Sequence, residues 1–181
     1  MKRKTNFKVT AIALALLCLI LFTTCRSWLF LSQPPQLYVS LRTEDAQTQH
    51  VRAAKGSHDW DYIGGSFSAT GSHPLDFFVF DEFNMTDDLI FHLNNANGEI
   101  RLQFTDNLSP YAVYVRRWPA EFAAPVNDGG SDMDLWFQYE SVEINNNIIH
   151  ISNDGKDYIY EVEARWAQGW SFYTFRVDSA G

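Results

Sequence analysis

DYIYEVEARWAQGWSFYTFRVD, residues 157–178, carries a regular alternating pattern from which the fold can be worked out. Apolar and polar residues alternate on both sides of a short break at residues 167–169, which is the pattern of two half-buried strands joined by a turn. A turn at Gln168-Gly169 places apolar pairs on one face: Ala164 opposite Tyr173, Val162 opposite Phe175 and Tyr160 opposite Val177. The stretch therefore predicts a closing β-hairpin with one buried face, since a slip by a single residue would put every side chain on the wrong side.

The residues before this hairpin extend the pattern. Asp154-Gly155 is a strong two-residue turn signal, and a turn there opposes Ile151 to Tyr158 and Ile149 to Tyr160. Residues 147–178 are therefore predicted to form a three-stranded antiparallel meander.

Short strand-like segments recur along the rest of the chain. Alternation is seen at residues 36–43, 87–93, 99–104 and 110–118, and residues 50–62 predict a strand whose Trp60 anchors the core. No window after the N-terminal segment has a helical period. Seven or eight short strands with turn signals between them predict an all-β chain, folded as an immunoglobulin-like antiparallel β-sandwich over residues 37–181.

The N-terminal segment has a different character. Residues 1–8 are a basic head, residues 9–25 carry no charge, and apolar residues resume after Arg26 and continue to residue 31. Three interpretations remain open: an uncleaved transmembrane anchor over residues 9–31, a lipoprotein signal with lipidation at Cys25, and a simple cleaved signal peptide. Residues 32–36, with Pro34-Pro35, are predicted to form a stiff linker.

All three interpretations export the body of the chain. If the segment stays in the membrane, the basic head keeps the N-terminus in the cytoplasm, and the expected location is then the cell membrane, with a single pass and an extracytoplasmic C-terminal domain. The residues after Arg26 include 22 acidic and nine basic side chains, a net charge of −13, which excludes nucleic acid as an expected partner. Both cysteines, Cys18 and Cys25, precede the body, which must therefore be held by its core alone.

Three patches of the body resemble a known group. GSHDW (56–60), SHPL (72–75) and YEVEARWAQGWSFYTFRV (160–177) are similar to segments of small, mostly uncharacterised exported proteins of Gram-positive bacteria, which are lipoproteins or single-anchor proteins. The resemblance implies an extracytoplasmic β-sandwich in a bacterial envelope. It implies no activity.

Catalytic and metal-binding patterns are sparse. No zinc-protease, nucleophile-elbow, phosphate-loop or dinucleotide motif occurs. His58 and His73 are the candidates for a metal-dependent or wall-acting enzyme, since imidazole is a common transition-metal ligand. Asp128, Asp132 and Asp134, in the loop 127–134, are candidate calcium ligands for a sensor, because calcium prefers carboxylate oxygens. No other cofactor is indicated.

The hairpin pattern also predicts a binding patch. If Tyr160, Val162, Tyr173 and Phe175 face the core, then Trp170 and Phe172 face the other way, together with Arg165, His150 and Ile159. Exposed Trp and Arg side chains are typical of interaction surfaces. The sequence therefore favours a non-catalytic, membrane-anchored binding or accessory module of the bacterial envelope, with an envelope protein or a glycan as its partner.

Overall fold

A computed structural model describes residues 14, 16, 31–45, 47–78, 87–93, 97–123 and 132–179. Two mainly antiparallel sheets face each other, so the predicted all-β sandwich is confirmed at this level. The first sheet has the strand order β2-β1-β6-β9. Its strands are β1 (Leu37–Thr43), β2 (Thr48–Arg52), β6 (Gly98–Phe104) and β9 (Ile148–Ile151).

The second sheet has the order β4-β3-β11-β10-β7-β8. Its strands are β3 (Ala54–Tyr62), β4 (Gly65–Ala69), β7 (Ala112–Pro119), β8 (Glu140–Val142), β10 (Tyr158–Trp166) and β11 (Gly169–Asp178). A short strand, β5 (Ile90–His92), pairs in parallel with the end of β11. Gln49 of β2 exchanges two side-chain hydrogen bonds with the backbone of His92, which ties the first sheet to β5.

The core lies between the two sheets and is rich in aromatic rings. Trp60 is fully buried, as predicted, and its ring meets Trp166 edge to face at 5.5 Å between ring centroids. Tyr160 and Phe175 stack in parallel at 5.1 Å. The four residues predicted to face the core from the closing hairpin, Tyr160, Val162, Tyr173 and Phe175, are all buried there.

The closing hairpin has a different register from the one predicted. Trp166 pairs with Gly169, so the two turn residues are Ala167 and Gln168, and Tyr160 lies opposite Phe175 rather than Val177. The predicted pairs are therefore wrong by two positions. The predicted faces are right nonetheless, because side chains in a strand alternate with a period of two.

The predicted three-stranded meander is wrong. β9 pairs with β6 in the first sheet, whereas β10 lies between β7 and β11 in the second. The turn at Asp154-Gly155 exists, with Gly155 at a positive φ of 76°, but it carries the chain from one sheet to the other. Ile149 and Tyr160 therefore share the core from opposite sheets instead of pairing within one.

The outer face of the second sheet is partly covered by a segment that we call the strap, residues 70–78. The backbone amide of Gly71 donates to Ser57 Oγ at 2.8 Å, which holds the strap against β3. The strap contains a single-turn helix, α1 (Pro74–Phe77), whose Leu75 is fully buried against Trp118 and Ile159. Two further segments pack on this cluster, the 3-10 helices Ala120–Ala123 and Met133–Phe137.

The N-terminal segment is represented by few residues. Leu14 and Leu16 are helical, and Cys25 lies outside the described residues. Within the part of the chain that the structure describes, no helix is both long and apolar enough to cross a membrane. The segment predicted as a linker is packed on the sandwich, since Pro34 and Pro35 are buried.

Candidate functional site

The outer face of the second sheet has a covered half and an open half. The strap covers the half around Trp118 and Ile159. The open half carries a cluster of side chains that we call the aromatic–arginine face: Tyr114, Arg116, Tyr139, Glu161, Glu163, Arg165, Trp170 and Phe172. Five of these residues lie on β10 and β11, the closing hairpin.

Trp170 and Phe172 lie side by side on β11. Their ring centroids are 5.1 Å apart and the rings are tilted by 56°. Both side chains are half-buried, and Arg165 lies directly opposite Trp170 on β10. The structure therefore brings together three of the four residues predicted to form a binding patch.

Arg116 of β7 occupies the centre of this face. Its guanidinium lies 5.5 Å from the ring centroid of Phe172 and 5.3 Å from that of Tyr139, a distance typical of cation–π contacts. One of its nitrogens also lies 2.5 Å from a carboxylate oxygen of Glu161. Arg116 is thus held between two aromatic rings by an ion pair, and it keeps little freedom to reorient.

The two glutamates of β10 differ in their environment. Glu161 is 7% exposed, and its burial raises the pKa of the carboxyl, an effect that the neighbouring Arg116 opposes. Glu163 is less buried and pairs with Arg165 at 2.6 Å. The Arg165 guanidinium in turn lies 5.2 Å from the ring centroid of Tyr114. The whole face is therefore one network of alternating charges and rings.

The shape of the face is open. A depression of about 350 Å³ lies beside β7 and β8 and is lined by Tyr114, Arg116, Tyr139, Glu163 and Arg165, among others. A larger depression, about 470 Å³, lies on the first sheet beside His150 and Glu99. We centre the candidate site on the first of these, because only there do fixed arginines and aromatic rings line the wall.

His150 is not part of the aromatic–arginine face. It lies on β9 of the first sheet, its side chain is 73% exposed, and its ring nitrogen is 3.6 Å from Glu99. The sequence pattern places it with Trp170 because that pattern predicts that β9 and β10 pair within one sheet. Ile159 does face outward as expected, but the strap buries it.

The two histidines considered for catalysis lie on opposite faces of the second sheet. His58 is buried on the same side of β3 as Trp60, its ring 5.3 Å from that of Phe67. His73 belongs to the strap on the outer side, where its ring stacks on Trp136 at 4.3 Å. The sheet separates the two imidazoles, so they cannot share a site. Among the described residues, no group of three or more metal-binding side chains is close enough to hold an ion.

His73 instead has a structural part in the strap. Its Nδ1 accepts a hydrogen bond from the amide of Leu75 at 3.3 Å and so caps α1, and its ring also meets Trp118 edge to face at 5.2 Å. Burial lowers the pKa of His73 to about 4, with a smaller opposing effect from Asp76. The strap therefore requires the neutral imidazole.

We expect acid to weaken the strap through His73. The His73 imidazole binds a proton less tightly in the folded chain than in the unfolded chain. The stabilisation that the neutral imidazole provides is therefore complete above about pH 6.5 and is lost as the pH falls towards 4. Between pH 7 and pH 4, the unfolding free energy should fall by about 1–2 kcal/mol more in the wild type than in His73→Asn, after allowance for solvent screening. Denaturant unfolding at the two pH values measures this. An equal change in unfolding free energy between the two pH values for both proteins would contradict this prediction. The variant His50→Asn is the control for loss of an exposed imidazole.

The proposed calcium loop is only partly described. Asp128 lies outside the described residues. The carboxylate of Asp132 accepts a hydrogen bond from the amide of Asp134 at 2.9 Å and caps the 3-10 helix Met133–Phe137. One of the three candidate carboxylates therefore already has a structural partner.

Tyr114, Arg116 and Tyr139 were not among the residues that the sequence pattern predicts for the binding patch. The segment PYAVYVRRW placed Tyr111, Val113 and Val115 on one side, and the same alternation puts Tyr114 and Arg116 on the other. That signal was present, but it did not say which strand β7 would join. Only the pairing of β7 with β10 brings Arg116 opposite Glu161.

No protein-family model matches this chain, and no curated protein matches it either.

Proposed function

We propose that this protein is a non-catalytic binding module of a bacterial cell envelope, held in the cell membrane by its N-terminal segment, with the sandwich outside the cytoplasm. The partner docks on the aromatic–arginine face. The observation that carries this proposal is the central arginine, Arg116, fixed between Phe172 and Tyr139 on an open sheet face. The N-terminal charge pattern supports the location.

The composition of the face supports a macromolecular partner. Trp, Tyr and Arg are the residues that contribute most to binding energy at protein interfaces, particularly when they are surrounded by packed neighbours. Tyr114 and Tyr139 are 52% and 43% exposed, so their rings are available for contact. Because Arg116 and Arg165 are already held by carboxylates, docking would order few additional side chains, which favours affinity.

The openness of the face favours a protein over a small ligand. Small-molecule sites are concave and enclose most of their ligand, whereas this depression lies on an exposed sheet. A glycan chain of the wall is the alternative partner, and binding of wall fragments distinguishes it from a protein. The enzyme alternative based on His58 and His73 has no comparable support, since the sheet separates them.

We also propose that the sandwich is of the immunoglobulin-like class in a broad sense, with two antiparallel sheets and loops at both ends. The immunoglobulin fold itself has seven or nine strands. The second sheet here, with its parallel β5–β11 pair, departs from that arrangement. The class name therefore describes the layering and not the strand order.

A paired cross-linking experiment tests the binding role. A photo-cross-linking residue is placed at Tyr114 on the face, or at Tyr38, a 47% exposed tyrosine of the first sheet, in the full-length protein in bacterial cells. We expect one recurrent envelope protein from position 114 and none from position 38. The double change Trp170→Ser and Phe172→Thr should reduce that product at least about 30-fold, because loss of a hot spot costs more than about 2 kcal/mol.

Stability must be measured alongside this test. Both rings are half-buried, so the double variant should still unfold cooperatively, with a loss of about 1–2 kcal/mol. Identical products from positions 114 and 38, or a product unaffected by the double variant, would contradict the proposed face. Wall fragments that bind the full-length protein and lose binding in the double variant would identify a glycan as the partner.

A further inference from the structure

The chain enters the sandwich at a fixed point. The carbonyl of Leu31 accepts a hydrogen bond from the indole nitrogen of Trp60 at 2.8 Å. The carbonyl of Pro34 accepts one from Lys55 Nζ at 2.6 Å, and that of Pro35 accepts one from the hydroxyl of the buried Tyr173. Three successive anchoring bonds to the second sheet hold the segment 31–36, so the sandwich cannot swing freely about it.

This fixed point lies at one end of the sandwich, which we call the proximal end. It consists of Leu31, the β3–β4 turn at residues 62–65, the β10–β11 turn at residues 166–169 and the loop 105–111. Trp60 pairs with Gly169 beside the second turn. The loop is attached to the same end, because the amide of Tyr111 donates to the carbonyl of Arg165 at 2.9 Å.

The proximal end carries exposed apolar side chains. Ile63 at the tip of the β3–β4 turn is 55% exposed, Tyr111 of the loop is 73% exposed, and Phe67 near the start of β4 is 41% exposed. Tyrosine is enriched where a protein meets the surface of a bilayer, and exposed apolar side chains strengthen binding to that surface by burying area in it. Asp61 and Asp106 are exposed close by, so deep insertion of this end is disfavoured.

The length of the preceding chain limits how far this end can lie from a membrane. The uncharged run ends at Cys25, and only five residues, 26–30, lie between it and Leu31. The six steps along the chain from Cys25 to Leu31 span at most about 20 Å when fully extended. Three of the residues between them, Trp28, Leu29 and Phe30, are themselves apolar or aromatic and suit the interface.

We propose that the proximal end of the sandwich rests on the outer surface of the lipid bilayer, with Ile63 and Tyr111 in contact with it. This inference rests on the proposed function, because it requires the apolar segment that precedes Leu31 to remain in the membrane. The opposite end, with the turn at residues 152–157, then points away from the bilayer. A nine-residue strand such as β10 is about 30 Å long, so the two ends differ in height by about that distance.

This orientation has a consequence for the aromatic–arginine face. The strands of the second sheet stand steeply on the membrane, so their outer face is directed sideways. Trp170 and Arg165 are close to the proximal turn and therefore lie near the bilayer. The partner that fits this geometry is the extracytoplasmic part of a neighbouring membrane protein.

Depth-dependent quenching tests the orientation with the full-length protein. Cys18 and Cys25 are replaced by serine, and a fluorophore is attached to a single new cysteine at Ile63, or at Lys156 in the opposite turn as a matched exposed control. The protein is reconstituted in vesicles of phosphatidylcholine and phosphatidylglycerol (3:1) that contain headgroup-attached quencher. We expect the label at position 63 to be quenched at least three-fold more strongly than the label at position 156.

The outcomes separate this inference from the proposed function. Equal quenching at both positions, or stronger quenching at position 156, in protein that remains with the vesicles overturns the orientation and leaves the anchor intact. Protein that does not sediment with the vesicles overturns the anchor and the orientation together. As a second variant, Trp60→Phe removes the bond to Leu31 while keeping an aromatic ring in the core. The difference between positions 63 and 156 should shrink in this variant, and an unchanged difference would show that the bond does not set the orientation.

Discussion

Replacing Gly169 with alanine is expected to prevent stable folding. A Cβ at this position would lie 1.9 Å from the carbonyl oxygen of Asp59, far inside van der Waals contact. The backbone φ angle of 152° is also one that residues other than glycine rarely adopt. The clash involves the backbone of β3 rather than a movable side chain, so the two central strands must separate to relieve it. The loss should exceed about 4 kcal/mol, a large part of the stability of a small domain.

Gly155→Ala is the matched control for this change. Gly155 also has a positive φ, 76°, but an added Cβ would meet no atom within 4 Å. Only the backbone cost remains, about 1 kcal/mol. Thermal unfolding measures both variants, and Gly169→Ala should melt at least about 12 °C below the wild type if it folds at all. Similar melting temperatures for the two variants would show that β3 and β11 can move apart with little loss of stability, which would contradict the prediction.

Gly169 also shows which part of the fold can be predicted from the local sequence pattern and which part cannot. The pattern predicts Gly169 as a turn residue, whereas it is the first residue of β11, and the hairpin register differs by two positions for this reason. Its actual role is to let β11 approach Asp59 of β3, a residue more than a hundred positions away in the chain. Alternation with a period of two cannot distinguish registers that differ by two, so the buried face was predicted correctly and the pairing was not.

The turn at Asp154-Gly155 marks a second limit. The turn itself was predicted from its two residues, and its geometry is set locally by hydrogen bonds within residues 153–156. Which sheet each flanking strand joins is decided by distant partners, β6 for Ile149 and β7 for Tyr160. Sequence alone therefore predicted the element and misassigned its neighbours.

The candidate site follows the same division. Trp170, Phe172 and Arg165 belong to one hairpin, and the sequence placed them correctly on one face. Arg116 and Tyr139 come from elsewhere in the chain and join that face through the pairing of β7 with β10 and the folding of the segment that precedes β8. The position of Arg116 at the centre of the face therefore could not be predicted from the local sequence pattern.

The second large effect is expected from Arg116→Leu. This change leaves the carboxylate of Glu161 buried without the guanidinium that lies 2.5 Å from it. Removing one partner of a buried ion pair costs more than the pair itself contributes, because the remaining charge stays desolvated. We expect a loss of about 3 kcal/mol at pH 8 by denaturant unfolding.

The loss should depend on pH in a direction set by Glu161. Burial already raises the pKa of this carboxyl above the usual 4.5, and removal of Arg116 raises it further. The folded state then binds the proton more tightly than the unfolded state, so the unfolding free energy decreases as the pH rises from about 4.5 through the raised pKa. The deficit of Arg116→Leu should therefore be smaller at pH 5 than at pH 8.

Two further variants separate the buried charge from the lost contacts. Arg165→Leu removes an arginine that is 47% exposed and also paired with a glutamate, and it should change stability little, since surface pairs contribute little. Arg116→Leu combined with Glu161→Leu removes both charges, and its stability should return to within about 1 kcal/mol of the wild type. If the double variant were as unstable as Arg116→Leu alone, the packing of Arg116 against Phe172 and Tyr139 would be the cause. The aromatic–arginine face would then depend on the shape of this arginine rather than on its charge.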